Sequence, residues 1–147
     1  MKKYTHKLVI GRSELVGFPD LFIDTIPAKT DTGAFRSAIH AKDISVKKRG
    51  GQEVLSFFLL KDHPGSPYNR EVETTSFAKA MVENSFGVEE ERYVVVLKIK
   101  VGPRVCKTEF TLADRSKKTY PILLGRKLTN GRFLVDTEAS NVDRRKL

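Results

Sequence analysis

The chain has a single cysteine, Cys106, which excludes an intrachain disulfide and fits a reducing compartment. Within "VCKTEFTL" it reads as a small, buried hydrophobe. No apolar run approaches a membrane span, and the opening "MKKYTHKLVI" lacks the apolar stretch of a secretory signal. A soluble, cytoplasmic protein with no membrane partner is therefore expected. His6, His40 and His63 are scattered and, with Cys106, form no closely spaced ligand pair of the kind zinc requires, so no metal is expected. Nor is there a glycine-rich loop ending in Gly-Lys-Ser/Thr to cradle nucleotide phosphates, and no cofactor is expected. Helical periodicity is scarce, and repeats, low-complexity segments and an RNA-recognition signature with interleaved aromatics are all missing.

What is present suits one small β domain. At 147 residues and 39% hydrophobic content the chain can fill one core. Segments such as "HKLVIG", "LFIDTIPAKT", "DISVKK", "EVLSFFLL", "ERYVVVLKIKVG", "VCKTEFTLAD" and "RFLVDT" are short, rich in Val, Ile, Phe and Thr, and bounded by Gly, Pro or charged turns. Gly50-Gly51 and Gly102-Pro103 each sit between two such runs and predict antiparallel hairpins. The run from Tyr93 is expected to start buried and to alternate from Leu97 to Val101. One helical turn is expected after Gly125, in "RKLTNG", and a weaker one in "FAKAMVEN". The stretch "KDHPGSPYNRE" reads as an exposed loop. A folded domain over 4–137 and a fraying polar tail over 138–147 are the expected divisions.

Lys and Arg outnumber Asp and Glu by 27 to 18, a formal net charge of +9, so an anionic partner is expected. Charge alone does not choose among nucleic acid, lipid and acidic polypeptide.

In "IPAKTDTGAFRSAIHA" a carboxylate, Asp31, stands where an apolar strand breaks into a tight turn, with Thr32 and Gly33 after it. By itself the tripeptide also fits an ordinary Asp-Thr-Gly turn. A second stretch, "TYPILLGRKLTNGRFLVD", sets Leu123 and Leu124 before Gly125 and Arg126. An Asp-Thr-Gly-Ala turn near the start with an apolar-apolar-Gly-Arg near the end resembles the two halves of the retropepsin-like aspartic protease pattern. The spaced residues "IGR.E.V..PDL", "AK.DTGA..S..HA", "ERY.V", "LADR", "YPILLGR" and "GRFLVD" narrow the resemblance to a bacterial and archaeal branch, RimB-like and associated with RimK-type ligases, that carries the label ATP-dependent zinc protease. The residues support neither "ATP" nor "zinc".

The resemblance implies a mainly β fold, a closed retropepsin-like (acid protease) β-barrel with one short C-terminal helix. It implies a peptidase in which Asp31, Thr32 and Gly33 form the catalytic turn: Asp31 activates water, Thr32 braces the loops and Gly33 permits the turn. Paired-aspartate chemistry needs two carboxylates sharing a proton, so a chain with one Asp-Thr-Gly implies a homodimer. The segment Val72 to Glu91, with Gly87, takes the place of the mobile hairpin that closes over substrate, and Phe133 to Val135 is a candidate interface strand. His40 and Arg126 occupy family positions but read as packing and tethering residues. The tie to glutamate-adding ligases, together with the charge, implies an acidic or glutamate-rich polypeptide as substrate and a functional link to a RimK-type glutamate ligase. The competing reading is a non-catalytic module that holds RNA or a ribosomal protein through basic clusters such as "VKKRGG", "RSKKT" and "DRRKL", although nucleic acid is not the expected partner.

Overall fold

The computed structural model describes residues 6–84 and 86–141. The "DRRKL" cluster, the predicted tail beyond residue 141, residues 4 and 5 of the expected domain, and Ser85 of the expected flap lie outside the described residues.

Among the described residues the chain is mainly β. The strands are β1 (Leu8–Gly11), β2 (Ser13–Phe18), β3 (Ile23–Thr30), β4 (Ser37–Arg49), β5 (Gln52–Leu59), β6 (Arg70–Thr74), β7 (Ala78–Glu83), β8 (Glu89–Val101), β9 (Arg104–Ala113), β10 (Ile122–Leu124) and β11 (Phe133–Asp136). A four-residue helix, α1 (Arg126–Thr129), precedes the last strand. No helix among them is long and apolar enough to cross a membrane.

The pairings place β10, late in the sequence, beside β3, near its start. β3 pairs with β2, β2 with β8, β8 with β9, and β9 runs parallel to β4. The short β10 then bridges the remaining gap, parallel to β3 on one edge and antiparallel to β4 on the other. These strands supply most of the core: Val16, Phe18, Ile26, Ile39, Ile99, Phe110, Ile122 and Leu124 are all buried. Phe18 and Phe110 meet edge to face at 5.7 Å, a favoured aromatic geometry. β1 and β11 form a separate parallel pair.

Both glycine hairpins form. Gly50 and Gly51 take φ of 61° and 80° between Arg49 and Gln52, the twist that a two-residue turn needs, and Gly102 takes 57° between β8 and β9. The helical turn after Gly125 is also present.

Four local expectations are corrected. "FAKAMVEN" contains a strand, β7, because six residues from Ala78 to Glu83 find main-chain partners on β8, and pairing overrides weak local propensity. In the run from Tyr93, Val94 and Val95 are buried as expected, but Val96 already opens to solvent, so the alternation begins before Leu97. The Pro- and Gly-rich stretch after Lys61 is not uniformly exposed, since His63 is 3% exposed and Arg70 already belongs to β6. Residues 138–141 dock on the body: Ala139 is buried, its carbonyl accepts the Arg12 N–H at 2.8 Å, and the Asn141 N–H reaches the Ser13 carbonyl at 2.8 Å. The apolar run in β11 is partly satisfied within the chain as well, because Phe133 enters the core while Leu134 remains more exposed.

Candidate functional site

β10 sits in register with both flanks of the Asp31 turn, opposing Leu124 to Thr30 of β3 and Leu123 to Ala38 of β4. Residues 31–36 must therefore loop around its end. The Asp31 N–H donates to the Leu124 carbonyl at 2.9 Å, and the Ala34 N–H returns to the Asp31 carbonyl at 3.2 Å, closing a tight turn. Asp31 Oδ1 accepts the Gly33 N–H at 3.0 Å, which orients the carboxylate on its own turn. Thr32 and Gly33 are exposed, and Asp31 is half-buried.

The turn is also gripped from the C-terminal side. The Arg126 and Lys127 N–H groups donate to the carbonyls of Ala34 and Phe35, each at 2.8 Å, and Arg126 Nη1 donates to the Thr32 carbonyl at 3.0 Å. The Gly125 N–H reaches the buried Ser37 hydroxyl at 3.0 Å. Gly125 is required for space: a Cβ there would lie 2.5 Å from the Arg36 carbonyl carbon. Asp31-Thr32-Gly33 thus lies beside Leu123-Leu124-Gly125, the two halves of the pattern that carries the resemblance, and Arg126 tethers the turn rather than only the helix.

Asp31 and Gly33 line a cleft of about 920 Å³. One wall is the β7–β8 hairpin, which contributes Met81, Phe86 and Arg92; another is the chain after β9, with Arg115 and Tyr120. The hairpin tip is shaped by Asn84, whose Oδ1 accepts the Phe86 and Val88 N–H groups, and by Gly87 at φ 76°. The hairpin expected to cover substrate is therefore narrower than predicted: residues 72–74 belong to β6, paired to β5.

The cleft is lined by charges of both signs, Lys29, Arg36, Arg92, Arg115 and Lys118 facing Asp31, Glu83, Glu90 and Asp114. Arg36 pairs with Glu109 at 2.8 Å and Lys127 joins the same carboxylate at 2.9 Å; Lys127 first, then Arg36, holds Glu109 below the ordinary carboxyl range. Asp114 is lowered to about 2, chiefly by the Ser116 hydroxyl and N–H, with Lys42 adding to the effect. Burial and the neighbouring Arg92 charge lower the pKa of Arg115, against an opposing pull from Asp31.

Two histidines hold the Arg115 main chain. His40 Nδ1 accepts the Arg115 N–H at 2.8 Å and its Nε2–H donates to the Lys61 carbonyl at 2.7 Å. His63 Nδ1 accepts the Gly65 N–H at 2.8 Å and its Nε2–H donates to the Arg115 carbonyl at 2.9 Å. The rings meet edge-on at 5.0 Å. The tautomers follow from the donors that each ring faces. Burial lowers the His40 pKa, with the Lys61 carbonyl opposing, so its 3.8 Å approach to Asp114 is not an ion pair at neutral pH. This clasp was not legible in the sequence, because nothing in "RSAIHA" or "KDHPGS" announces that two distant loops meet. Its rings are also unsuited to zinc, since each nitrogen already serves a main-chain group. Among the described residues no group of three or more His, Cys, Asp or Glu is placed to hold a metal ion. Cys106 is half-buried in β9, where burial raises its thiol pKa.

Comparisons with known proteins bear on this geometry. Residues 9–146 match the family described as RimB-like, retropepsin-like aspartic endopeptidase RimB. A probable alpha-L-glutamate ligase of Shewanella pealeana is 33% identical over 135 residues, which are 92% of this chain and 30% of that protein. One from Desulfotalea psychrophila is 35% identical over 133 residues, 88% of this chain and 28% of that protein. The chain spans about 30% of the length of the curated relatives it matches. Among solved structures, Lpg0085 of Legionella pneumophila, a protein of unknown function (DUF785), superposes with a TM-score of 0.73 at 27% identity, covering 92% of this chain and 98% of that one.

Proposed function

The chain belongs to the RimB-like family of retropepsin-like aspartic endopeptidases, and from that premise we propose that it is an aspartic peptidase acting as a homodimer on acidic, glutamate-rich polypeptides. The observation that carries the reading is the Asp31 turn. A half-buried carboxylate, its loop clamped by β10 and Arg126, stands at the edge of a cleft large enough for an extended peptide.

In the proposed mechanism Asp31 of each of two chains meets its mate across a two-fold axis. Two carboxyl groups roughly 3 Å apart share one proton, because both cannot ionise readily. The ionised member takes a proton from water as the water attacks the scissile carbonyl, and the protonated member donates to the carbonyl oxygen. Thr32 and Gly33, exposed beside Asp31, are where the two turns would touch, and the strand ring is read as the family's barrel.

The substrate class is drawn from charge and kinship. The chain carries a net +9, and the cleft, though lined by carboxylates as well, offers five cations, Lys29, Arg36, Arg92, Arg115 and Lys118. We assign the ligase activity named for its relatives to the portion of those proteins that this chain does not match, and a peptidase beside a glutamate ligase would act on that ligase's product. Asp31→Asn tests the reading. The variant should keep the fold and melting temperature yet lose cleavage of a glutamate-rich peptide, because an amide cannot share the proton. Full activity in Asp31→Asn, or activity abolished by a chelator and restored by zinc, would hand the chemistry to a metal.

A further inference from the structure

We propose that Arg115 is the specificity-determining residue of the cleft, its guanidinium receiving a carboxylate of the peptide that lies over Asp31. The proposal rests on the acidic-peptide reading and assigns the recognition to particular atoms. Arg115 is half-buried and lines the same cleft as Asp31. Its Nε–H is engaged with the Tyr120 carbonyl at 3.0 Å. Among the described residues neither Nη atom has a hydrogen bond, and no carboxylate lies within ion-pair distance of the group.

The neighbouring cations differ. Arg36 is paired with Glu109, Lys42 with Asp114 and Arg92 with Glu90, while Lys29 and Lys118 are exposed to water. Arg115 combines partial burial, which is costly for a guanidinium, with no carboxylate in direct contact, Asp31 acting on it only from beyond ion-pair distance. A second guanidinium, that of Arg92, is close enough to be felt, and a bound carboxylate would relieve that repulsion as well. A planar guanidinium pairs with a carboxylate through two parallel hydrogen bonds, a match that a glutamine amide cannot make with charge. The position is rigid at its base, because His40 takes the Arg115 N–H and His63 donates to its carbonyl. A fixed main chain reduces the ordering that binding must impose.

The test reads binding without turnover. In the full chain carrying Asp31→Asn, affinities for a short acetylated and amidated glutamate peptide and its glutamine counterpart are measured by titration calorimetry, before and after Arg115→Gln and Arg115→Lys. The glutamate peptide should bind about 10- to 100-fold more weakly to Arg115→Gln, the range expected for losing a charge-assisted pair. Arg115→Lys should fall in between, and the glutamine peptide should not respond. Lys48→Gln, a charge removed outside the cleft, should leave both affinities unchanged. Should Arg115→Gln fail to fold, Arg115→Lys carries the test, since it keeps the charge and loses only the planar fork. A preference for glutamate that survives both substitutions, or a parent that binds neither peptide, overturns the proposal. Binding through Arg115 without any cleavage by the Asp31 form would refute the peptidase reading and leave this one standing.

Discussion

His40 shows how one side chain couples local geometry to pH. The ring accepts the Arg115 N–H at Nδ1, so protonation there would break the clasp, and burial keeps its pKa below the usual 6.5. As pH falls through that value the unfolded chain takes up a proton that the folded chain refuses, so stability declines with acid until the folded ring itself titrates. His40→Asn retains an acceptor but cannot titrate. Urea midpoints measured from about pH 7.5 to 5.5 should therefore drop less in the variant than in the parent, around a lower absolute value. Asp114 acts in a separate window: its contribution is complete above pH 3.8 and is lost as pH falls towards about 2. A midpoint that is flat from neutrality down to pH 4 in the parent would contradict the buried neutral His40.

Among the elements, β10 carries the arrangement, because three residues join β3 to β4 and fix the turn between them. Gly125, just beyond it, has no room for a side chain: a Cβ would press on the Arg36 carbonyl group from 2.5 Å. Gly125→Ala should cost about 1–3 kcal/mol as the loop moves aside. Peptide turnover should fall further than stability does, since the displaced loop bears Asp31. At Gly33 the nearest atom to a Cβ is Asp31 Oδ1 at 3.3 Å, so Gly33→Ala should cost less in melting temperature than Gly125→Ala. Thermal melts of the two variants side by side check the order.

The same elements show what the sequence could reveal. Gly50-Gly51 and Gly102-Pro103 were legible because the turn chemistry is local, and so was the helical turn after Gly125. The contact of the Asp31 turn with Leu123–Gly125 was legible only through family resemblance. β7 was misread because its residues suit a helix as well as a strand, and only pairing with β8 decides between them. β2, β6 and the Arg115 clasp escaped notice because their warrants lie in partners far away in the chain.

At the scale of the molecule, the charge and the single Asp-Thr-Gly turn make distinct predictions. With a net +9 steering an acidic peptide, kcat/KM on a glutamate peptide should fall as salt rises, since screening shortens the attraction to about 8 Å at physiological ionic strength. A matched leucine peptide should show no such trend. The proposed dimer should also appear in sedimentation at working concentration, with specific activity falling on dilution into the monomer range.

The shared carboxylate pair is tested most directly by mixing. Wild-type and Asp31→Asn chains are combined in varying ratios, allowed to exchange subunits, and assayed at constant total protein. If each active site draws one Asp31 from each chain, mixed dimers are dead and activity falls as the square of the wild-type fraction. Activity that falls in simple proportion to that fraction would mean that one chain suffices, and would contradict the account.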